Sequence, residues 1–120
     1  MPTQAERRAT TRAALLAAAR QLFTEKGFAG TGREEIAERA GVTRGALYHQ
    51  FADKRELFAA VFEQVEAELT QRVGQAAGAA AADDPLAELR VGTAAWLDAC
   101  TEPELQRILL LDGPSVLGHE

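Results

Sequence analysis

The stretch GVTRGALYHQF, residues 41–51, combines very small residues with side chains that suit an anionic partner. Its middle has the pattern of a short helix, whose expected exposed residues are Arg44, Gly45, Ala46, Tyr48 and His49. Glycine inside a helix costs about 1 kcal/mol relative to alanine, so a surface helix that keeps Gly45 needs a compensating reason. A guanidinium can bind guanine or phosphate in a bidentate manner, and a tyrosine hydroxyl suits phosphate oxygens. The residue types therefore favour close contact with a nucleic acid.

Charge is segregated along the chain. The 120 residues have a formal net charge of −5, yet residues 1–55 hold ten Lys or Arg against six Asp or Glu, and residues 56–120 hold three against twelve. A basic N-terminal unit on an acidic body suggests that one end faces a polyanion. Chance clustering of solvated charges gives the same counts, so charge alone leaves both interpretations open.

Composition predicts a folded, all-α chain. Hydrophobic residues make up 47% and charged residues 26%, as in globular proteins, and the abundant alanine favours helix. The single cysteine, Cys100, excludes an internal disulfide framework. The two histidines, His49 and His119, are far apart, so we expect no metal site and no catalytic residues. No apolar run is long enough for a membrane span and no signal peptide is recognisable, so we expect a cytoplasmic protein. Without catalytic residues we expect neither a cofactor nor enzyme activity.

Apolar periodicity predicts the helices that position the opening stretch. A first helix carries an apolar stripe and ends at Gly27, and a second, REEIAERA, begins near Thr31 or Gly32 and ends at Gly41. Thr43 is the expected N-cap of a third helix. Two helices joined by a three-residue turn that contains glycine are typical of a helix-turn-helix. An ordinary corner between two helices of a bundle is the alternative.

Further helices follow. A long fourth helix begins with a capping box from Asp53 to Glu56, and residues 74–84 are either a linker or a frayed helix end. Asp84 precedes another helix with proline at its first position. The expected inward side chains of that helix are Leu86, Leu89, Trp96, Leu97 and Cys100. A last short helix, ELQRILLLDG, is expected to end at Gly113-Pro114.

The run LLAAARQLFTEKGFAGTGREEIAERAGVTRGALYHQFADKRELFAAVF resembles the N-terminal DNA-binding region of the TetR/AcrR family of bacterial transcriptional regulators. The motifs F-x-x-K-G-F, E-I-A-x-x-A-G-V, G-A-L-Y and F-x-x-K occur in order, and the similarity is dense over about residues 9–65. LLLDGPSVLG resembles a segment midway through the family's ligand domain. The resemblance implies a three-helix helix-turn-helix domain at 1–52. It also implies a long connecting helix and an incomplete effector-binding domain at 53–120.

The resemblance further implies which side chains contact double-stranded DNA. The third helix would enter a major groove, and the matching positions are Thr43, Arg44, Gly45, Ala46, Tyr48, His49 and Lys54. Arg44 would bind guanine, with contact to phosphate alone as the open alternative; for His49, phosphate contact or simple exposure is favoured over base reading. Gly32 stands where many family members carry a hydroxyl residue. A phosphate contact there therefore falls to Thr31, Arg33 or backbone amides.

Family members are about twice as long and dimerise through C-terminal helices that this sequence lacks, so we expect a truncated sequence of a homodimeric protein. An unusually short member that dimerises through what remains is the alternative. The resemblance implies a ligand-responsive repressor that binds a palindromic operator and a small-molecule effector. The apolar candidates for an effector pocket are Trp96, Leu97, Cys100, Ile108 and Leu109, although core packing is the favoured alternative for each. The competing hypothesis for the chain is a helical protein-interaction module without DNA-binding activity.

Overall fold

The computed structural model describes residues 1–80 and 84–118, and within these ranges the chain is helical and contains no β-strand. The elements are α1 (Gln4–Lys26), α2 (Arg33–Ala40), α3 (Arg44–Gln50), α4 (Lys54–Gly78), α5 (Pro85–Ala99), α6 (Pro103–Leu105), a π-helical segment (Gln106–Asp112) and α7 (Gly113–Leu117). The all-α prediction is confirmed. Across the described part of the chain, no helix has the length and apolar character that a membrane crossing requires.

The first three helices pack around one apolar core. The stripe of α1 is buried as predicted, with Leu15, Leu22 and Phe23 fully enclosed. Ile36 of α2 and Leu47 of α3 complete the same cluster. Because α2 and α3 are only two turns long, their stability comes from this tertiary packing rather than from helix propensity.

Two caps determine how α2 leads into α3. Gly41 adopts a left-handed conformation with φ 74° and ψ 29°, and the next N–H, that of Val42, donates to the carbonyl of Ala37 at 3.0 Å. A residue with a Cβ would be strained at this φ. The hydroxyl of Thr43 accepts from the N–H of Ala46 at 3.0 Å and so begins α3. The predicted helix-turn-helix and both of its turn residues are confirmed.

Helix α4 packs on the N-terminal helices and also carries the C-terminal ones. The carboxylate of Asp53 accepts from the N–H of Glu56 at 2.8 Å, as predicted for the cap. Phe58 lies in the core against Phe23, with ring centroids 5.3 Å apart. The helix continues through residues 74–78, part of the stretch predicted as a linker or a frayed end; residues 81–83 of that stretch lie outside the described ranges. The predicted division at 52/53 stays a prediction.

The predicted inward face of α5 is wrong. The large side chains expected there are 45% to 67% exposed, namely Trp96, Leu97, Leu86 and Leu89, and Cys100 is only half-buried. Small residues, Gly92 and Ala99, are buried instead. A Cβ at Gly92 would lie 3.5 Å from that of Ala77 on α4. The stripe of small residues permits the close approach of α4 and α5, and this packing overrode the stripe of large residues.

The last helix does not end at Gly113-Pro114. Helix α6, the π-helical segment and α7 follow one another without a break from residue 103 to 117. The N–H of Gly113 donates to the carbonyl of Ile108, five residues earlier, which is the π pattern. A proline ring inside a regular α-helix clashes with the carbonyl four residues before it. The wider π turn accommodates Pro114, which explains why a Gly-Pro pair did not act as a stop.

Candidate nucleic-acid interface

The exposed face of α3 carries two small residues near its N-terminal end. Gly45 is exposed and Ala46 half-buried, and a Cβ built on Gly45 would meet nothing nearer than the hydroxyl oxygen of Thr43 at 3.8 Å. That is an ordinary van der Waals distance, so alanine fits at position 45 in the folded chain. Internal packing therefore does not require glycine there, and the backbone of α3 is left open to close approach from outside.

The first concave surface beside α3 encloses a volume of about 680 Å³. The loop between α1 and α2, the first turn of α2, α3 and the start of α4 form its wall. Its cationic side chains are Arg33, Arg44, Lys54 and Arg55, and Glu34 and Asp53 are its acidic ones. The guanidinium of Arg33 lies over the ring of Tyr48, 5.4 Å from the centroid. Arg33 and Tyr48, both predicted contacts, are thus held together at this surface.

A second concave surface lies on the other side of α3 and encloses a volume of about 360 Å³. Its lining comes from Gln4, Arg7, Arg8 and Thr11 of α1 and from Gly45, Ala46, His49 and Gln50 of α3. The side-chain amide of Gln50 donates to the carbonyl of Arg8 at 2.9 Å and ties the two helices together. The sequence did not single out the α1 residues as contacts. A signal was present, because Arg7 and Arg8 lie off the apolar stripe of their helix.

Arg44 is oriented by an acid on the neighbouring helix. Its guanidinium lies 3.0 Å from the carboxylate of Glu34, in the first turn of α2, with side chains 62% and 74% exposed, respectively. An ion pair as exposed as this contributes about 0–1 kcal/mol. Arg44 can therefore leave Glu34 at little cost when a stronger acceptor approaches.

The prediction that the Thr31 side chain contacts phosphate is wrong. Thr31 is 1% exposed, and its hydroxyl lies 2.7 Å from the carbonyl oxygen of Gly27 and 3.2 Å from that of Leu22. It closes the loop between α1 and α2 from inside. Of the side chains considered for a contact near Gly32, the exposed Arg33 is the one that reaches the surface.

Lys54 is engaged inside the protein. Its ammonium donates to the carbonyls of Phe28 at 2.8 Å and Thr31 at 3.0 Å, and it lies 4.2 Å from the centroid of the Phe28 ring. Partial burial, with the nearby charge of Arg33, lowers the pKa of Lys54. Two of its three N–H groups are thus used to hold the α1–α2 loop. The sequence pattern did not predict this contact, and phosphate contact through the remaining N–H stays a prediction.

A mainly apolar cavity of about 460 Å³ lies between α4, α5 and the π-helical segment. Of the predicted wall, Trp96, Cys100 and Leu109 line it. Leu97 instead faces outward and Ile108 is fully buried in the core, so neither belongs to the cavity. The further lining residues are Phe62, Glu66, Leu69, Thr70, Val73, Leu105 and Leu110. Within residues 1–80 and 84–118, no three His, Cys, Asp or Glu side chains are grouped closely enough to hold a metal ion.

The fold and the surface of α3 define a helix-turn-helix protein with an attached helical body. The family model for bacterial regulatory proteins of the tetR family matches residues 15–61, and the model for tetracyclin repressor-like C-terminal domains matches residues 86–120. The chain belongs to the TetR family of bacterial regulatory proteins.

Individual relatives agree with the family match. The chain is 44% identical over 70 residues to the HTH-type transcriptional regulator CymR of Pseudomonas putida, covering 58% of this chain and 34% of that protein. It is 36% identical over 100 residues to the HTH-type transcriptional regulator AcrR of Shigella flexneri, covering 83% and 46%. A crystal structure of a TetR-family transcriptional regulator from Pectobacterium atrosepticum superposes with a TM-score of 0.83 at 43% identity, covering 99% of this chain and 61% of that one. The chain thus spans less than half the length of these two curated relatives.

Proposed function

We propose that the chain is the DNA-reading part of a transcriptional regulator that binds a palindromic operator as a homodimer and acts as a ligand-responsive repressor. The observation that carries this proposal is the open face at Gly45 and Ala46. An added Cβ at Gly45 would have room in the folded chain, so the cost of glycine is best explained by an external surface that approaches the helix backbone. The floor of a DNA major groove is such a surface, because it admits an α-helix.

The arginines on both sides of α3 support a groove-bound orientation. A major groove is about 12 Å wide and is bordered by two phosphate backbones. Arg33 and Arg55 line the concave surface on one side of α3, and Arg7 and Arg8 line that on the other. With α3 in the groove, these two sets would contact opposite backbones. Phosphate contacts of this kind orient a protein on the duplex without specifying sequence.

Base reading is assigned to the N-terminal end of α3. Arg44 is placed to donate to the O6 and N7 of guanine, with phosphate contact as the alternative. Tyr48 and His49 are assigned to phosphate or base contacts, Thr43 to phosphate. A helix of seven residues reaches few base pairs. Two copies on half-sites about 34 Å apart would supply the missing specificity, which is why the proposal includes a homodimer.

The cavity between α4, α5 and the π-helical segment is proposed as the effector site. Its volume of about 460 Å³ falls in the range of about 300–1,000 Å³ that is typical of small-molecule sites. The wall is mainly apolar, and Glu66 and Thr70 are its polar residues. These features favour a small apolar effector that offers one hydrogen-bond donor or a positive charge.

A binding-site selection from random duplexes, followed by a salt titration, tests the proposal. We expect enrichment of a palindrome, and log K that falls linearly with log salt because bound cations are released from the phosphates. A promoter fusion carrying the palindrome then tests the direction of regulation, with lower expression expected when the protein is present. A helical protein-interaction module would give neither an enriched palindrome nor salt-dependent duplex binding, and that outcome would contradict the proposal.

A further inference from the structure

The π-helical segment has two faces with different neighbours. Leu109 and Leu110 line the apolar cavity, while the ends of the segment supply Arg107 and Asp112 to the loop between α1 and α2. The segment therefore contacts both the cavity and that loop through its own side chains, as α4 also does through Phe62 and Lys54. Isolated π turns inside helices are rare and often occur at functional sites.

Two polar contacts join the π-helical segment to the last residue of α1 and to the α1–α2 loop. The N–H of Phe28 donates to the carboxylate of Asp112 at 2.8 Å, and the guanidinium of Arg107 donates to the carbonyl of Lys26 at 3.1 Å. Arg107 and Asp112 also lie 3.5 Å apart as an ion pair. The fit is close, because a Cβ at Gly27 would collide with the guanidinium of Arg107.

The same loop is held from its other side by the start of α4. The carbonyl of Phe28 accepts from Lys54, so both polar atoms of the Phe28 backbone are bound by side chains distant in sequence. The loop continues into α2 at Arg33, and α2 leads through Gly41 into α3. A change at Phe28 can therefore reach the α3 surface through eight residues of α2 and one turn.

We propose that Arg107 and Asp112 are positioning residues that couple occupancy of the cavity to the placement of α2 and α3, acting directly on the α1–α2 loop. This inference rests on the proposed function of the cavity and of α3. A π turn contains one residue more than an α turn, so its conversion rotates the following side chains by about 100° about the helix axis. A molecule seated against Leu109 and Leu110 would favour such a rotation and withdraw Asp112 from Phe28. The Phe28 backbone would then lose one of the two distant side chains that bind it.

Cys100 provides a probe that does not require the natural effector. It is the single cysteine of the chain and lines the cavity, so reaction with N-phenylmaleimide places an apolar aromatic group inside. In the labelled chain we expect the Phe28 amide to exchange hydrogen about tenfold faster, and the affinity for the selected duplex to fall about tenfold. A Cys100→Ser variant treated with the same reagent controls for labelling elsewhere.

Replacement of Asp112, whose carboxylate accepts from the Phe28 N–H, should uncouple the cavity from duplex binding. In Asp112→Ala we expect the label to change duplex affinity by less than about twofold, since the link is already broken. Asp98→Ala, which removes an exposed carboxylate of α5, should keep the full tenfold response. Asp112→Asn, which keeps the size and one acceptor oxygen, serves if the alanine variant fails to fold, and an intermediate response is expected.

Two results would overturn the coupling. One is an unchanged Phe28 exchange rate after labelling, and the other is an equal loss of affinity in Asp112→Ala and the unmutated chain. Failure of every form to bind duplex would instead refute the proposed function. The Phe28 exchange rate would still decide the coupling, because it is measured without DNA.

Discussion

The guanidinium of Arg44 is 3.0 Å from the carboxylate of Glu34, so the side chain best suited to bind guanine is paired with an acid of the preceding helix. Both side chains are mostly exposed, and such pairs exchange readily for better partners. The pair keeps Arg44 on the side of α3 that faces the first concave surface. Two substitutions separate the roles of its members.

Arg44→Ala should relax the base preference at one position of each half-site. A bidentate contact to guanine discriminates by about 1–3 kcal/mol, and the palindrome holds two of them. Affinity for the selected palindrome should therefore fall by about twice that amount, while affinity for other sequences changes little. Repeating the selection with the variant measures this. Arg90→Ala, an exposed change on α5, should leave the selected sequence intact. An equal loss on every sequence would mean that Arg44 contacts phosphate.

Glu34→Gln should strengthen binding to all duplexes by a similar factor. The substitution removes a negative charge beside the phosphates and releases Arg44 from its partner. The gain should shrink as salt increases, because exposed charges are screened over about 10 Å at 0.1 M salt. Affinities for the palindrome and for a scrambled duplex at two salt concentrations test this. A loss confined to the palindrome would assign Glu34 to base reading.

Lys54→Met should destabilise the fold. The variant keeps an apolar stem beside Phe28 but removes the donor to the carbonyls of Phe28 and Thr31. Loss of the hydrogen bonds from a charged donor to these carbonyls costs about 1–3 kcal/mol, which urea denaturation would measure as a lower midpoint. Arg90→Met is the matched control and should not shift the midpoint. Unchanged stability together with weaker duplex binding would show that Lys54 contacts phosphate and does not stabilise the α1–α2 loop.

Local signals in the sequence predicted the helix-turn-helix well, and tertiary packing accounts for what they missed. Gly41, Thr43 and Asp53 begin or end helices through their own backbone or side chain, so their effect is visible from a few neighbours. The roles of Thr31 and Lys54 depend on carbonyls brought close only by the folded α1–α2 loop. Two predictions were wrong for the same reason, namely the inward face of α5 and the helix end at Gly113-Pro114. Packing on α4 determined the face of α5, and a π turn carried the helix past the proline.

The ion pairs of Arg20 should make stability fall in acid. Arg20 donates to Glu68 of α4 and Glu104 of α6 at 2.7–2.8 Å, and the hydrogen bond from Arg20 lowers the pKa of Glu68 below its ordinary value of 4.5. A carboxylate with a lowered pKa in the folded state stabilises the protein above its unfolded pKa. That contribution is lost as pH falls through the folded pKa.

Denaturation of the unmutated chain and of Arg20→Gln at pH 7 and at pH 3 measures this contribution. The unmutated chain should be more stable than the variant at pH 7, and the difference should shrink at pH 3. The same difference at both pH values would show that Arg20 stabilises the fold by packing alone.

Close approach of the α3 backbone to DNA at Gly45 can be probed by adding one methyl group to the helix. Gly45→Ala and Gly74→Ala both fill open space on a helix, so each should stabilise the fold by about 0.5–1 kcal/mol. Gly74 lies near the end of α4, away from α3. Close approach of α3 predicts that Gly45→Ala weakens binding to the selected palindrome at least about tenfold, or about 1.4 kcal/mol, while Gly74→Ala leaves it unchanged. Equal affinities for the two variants would contradict it.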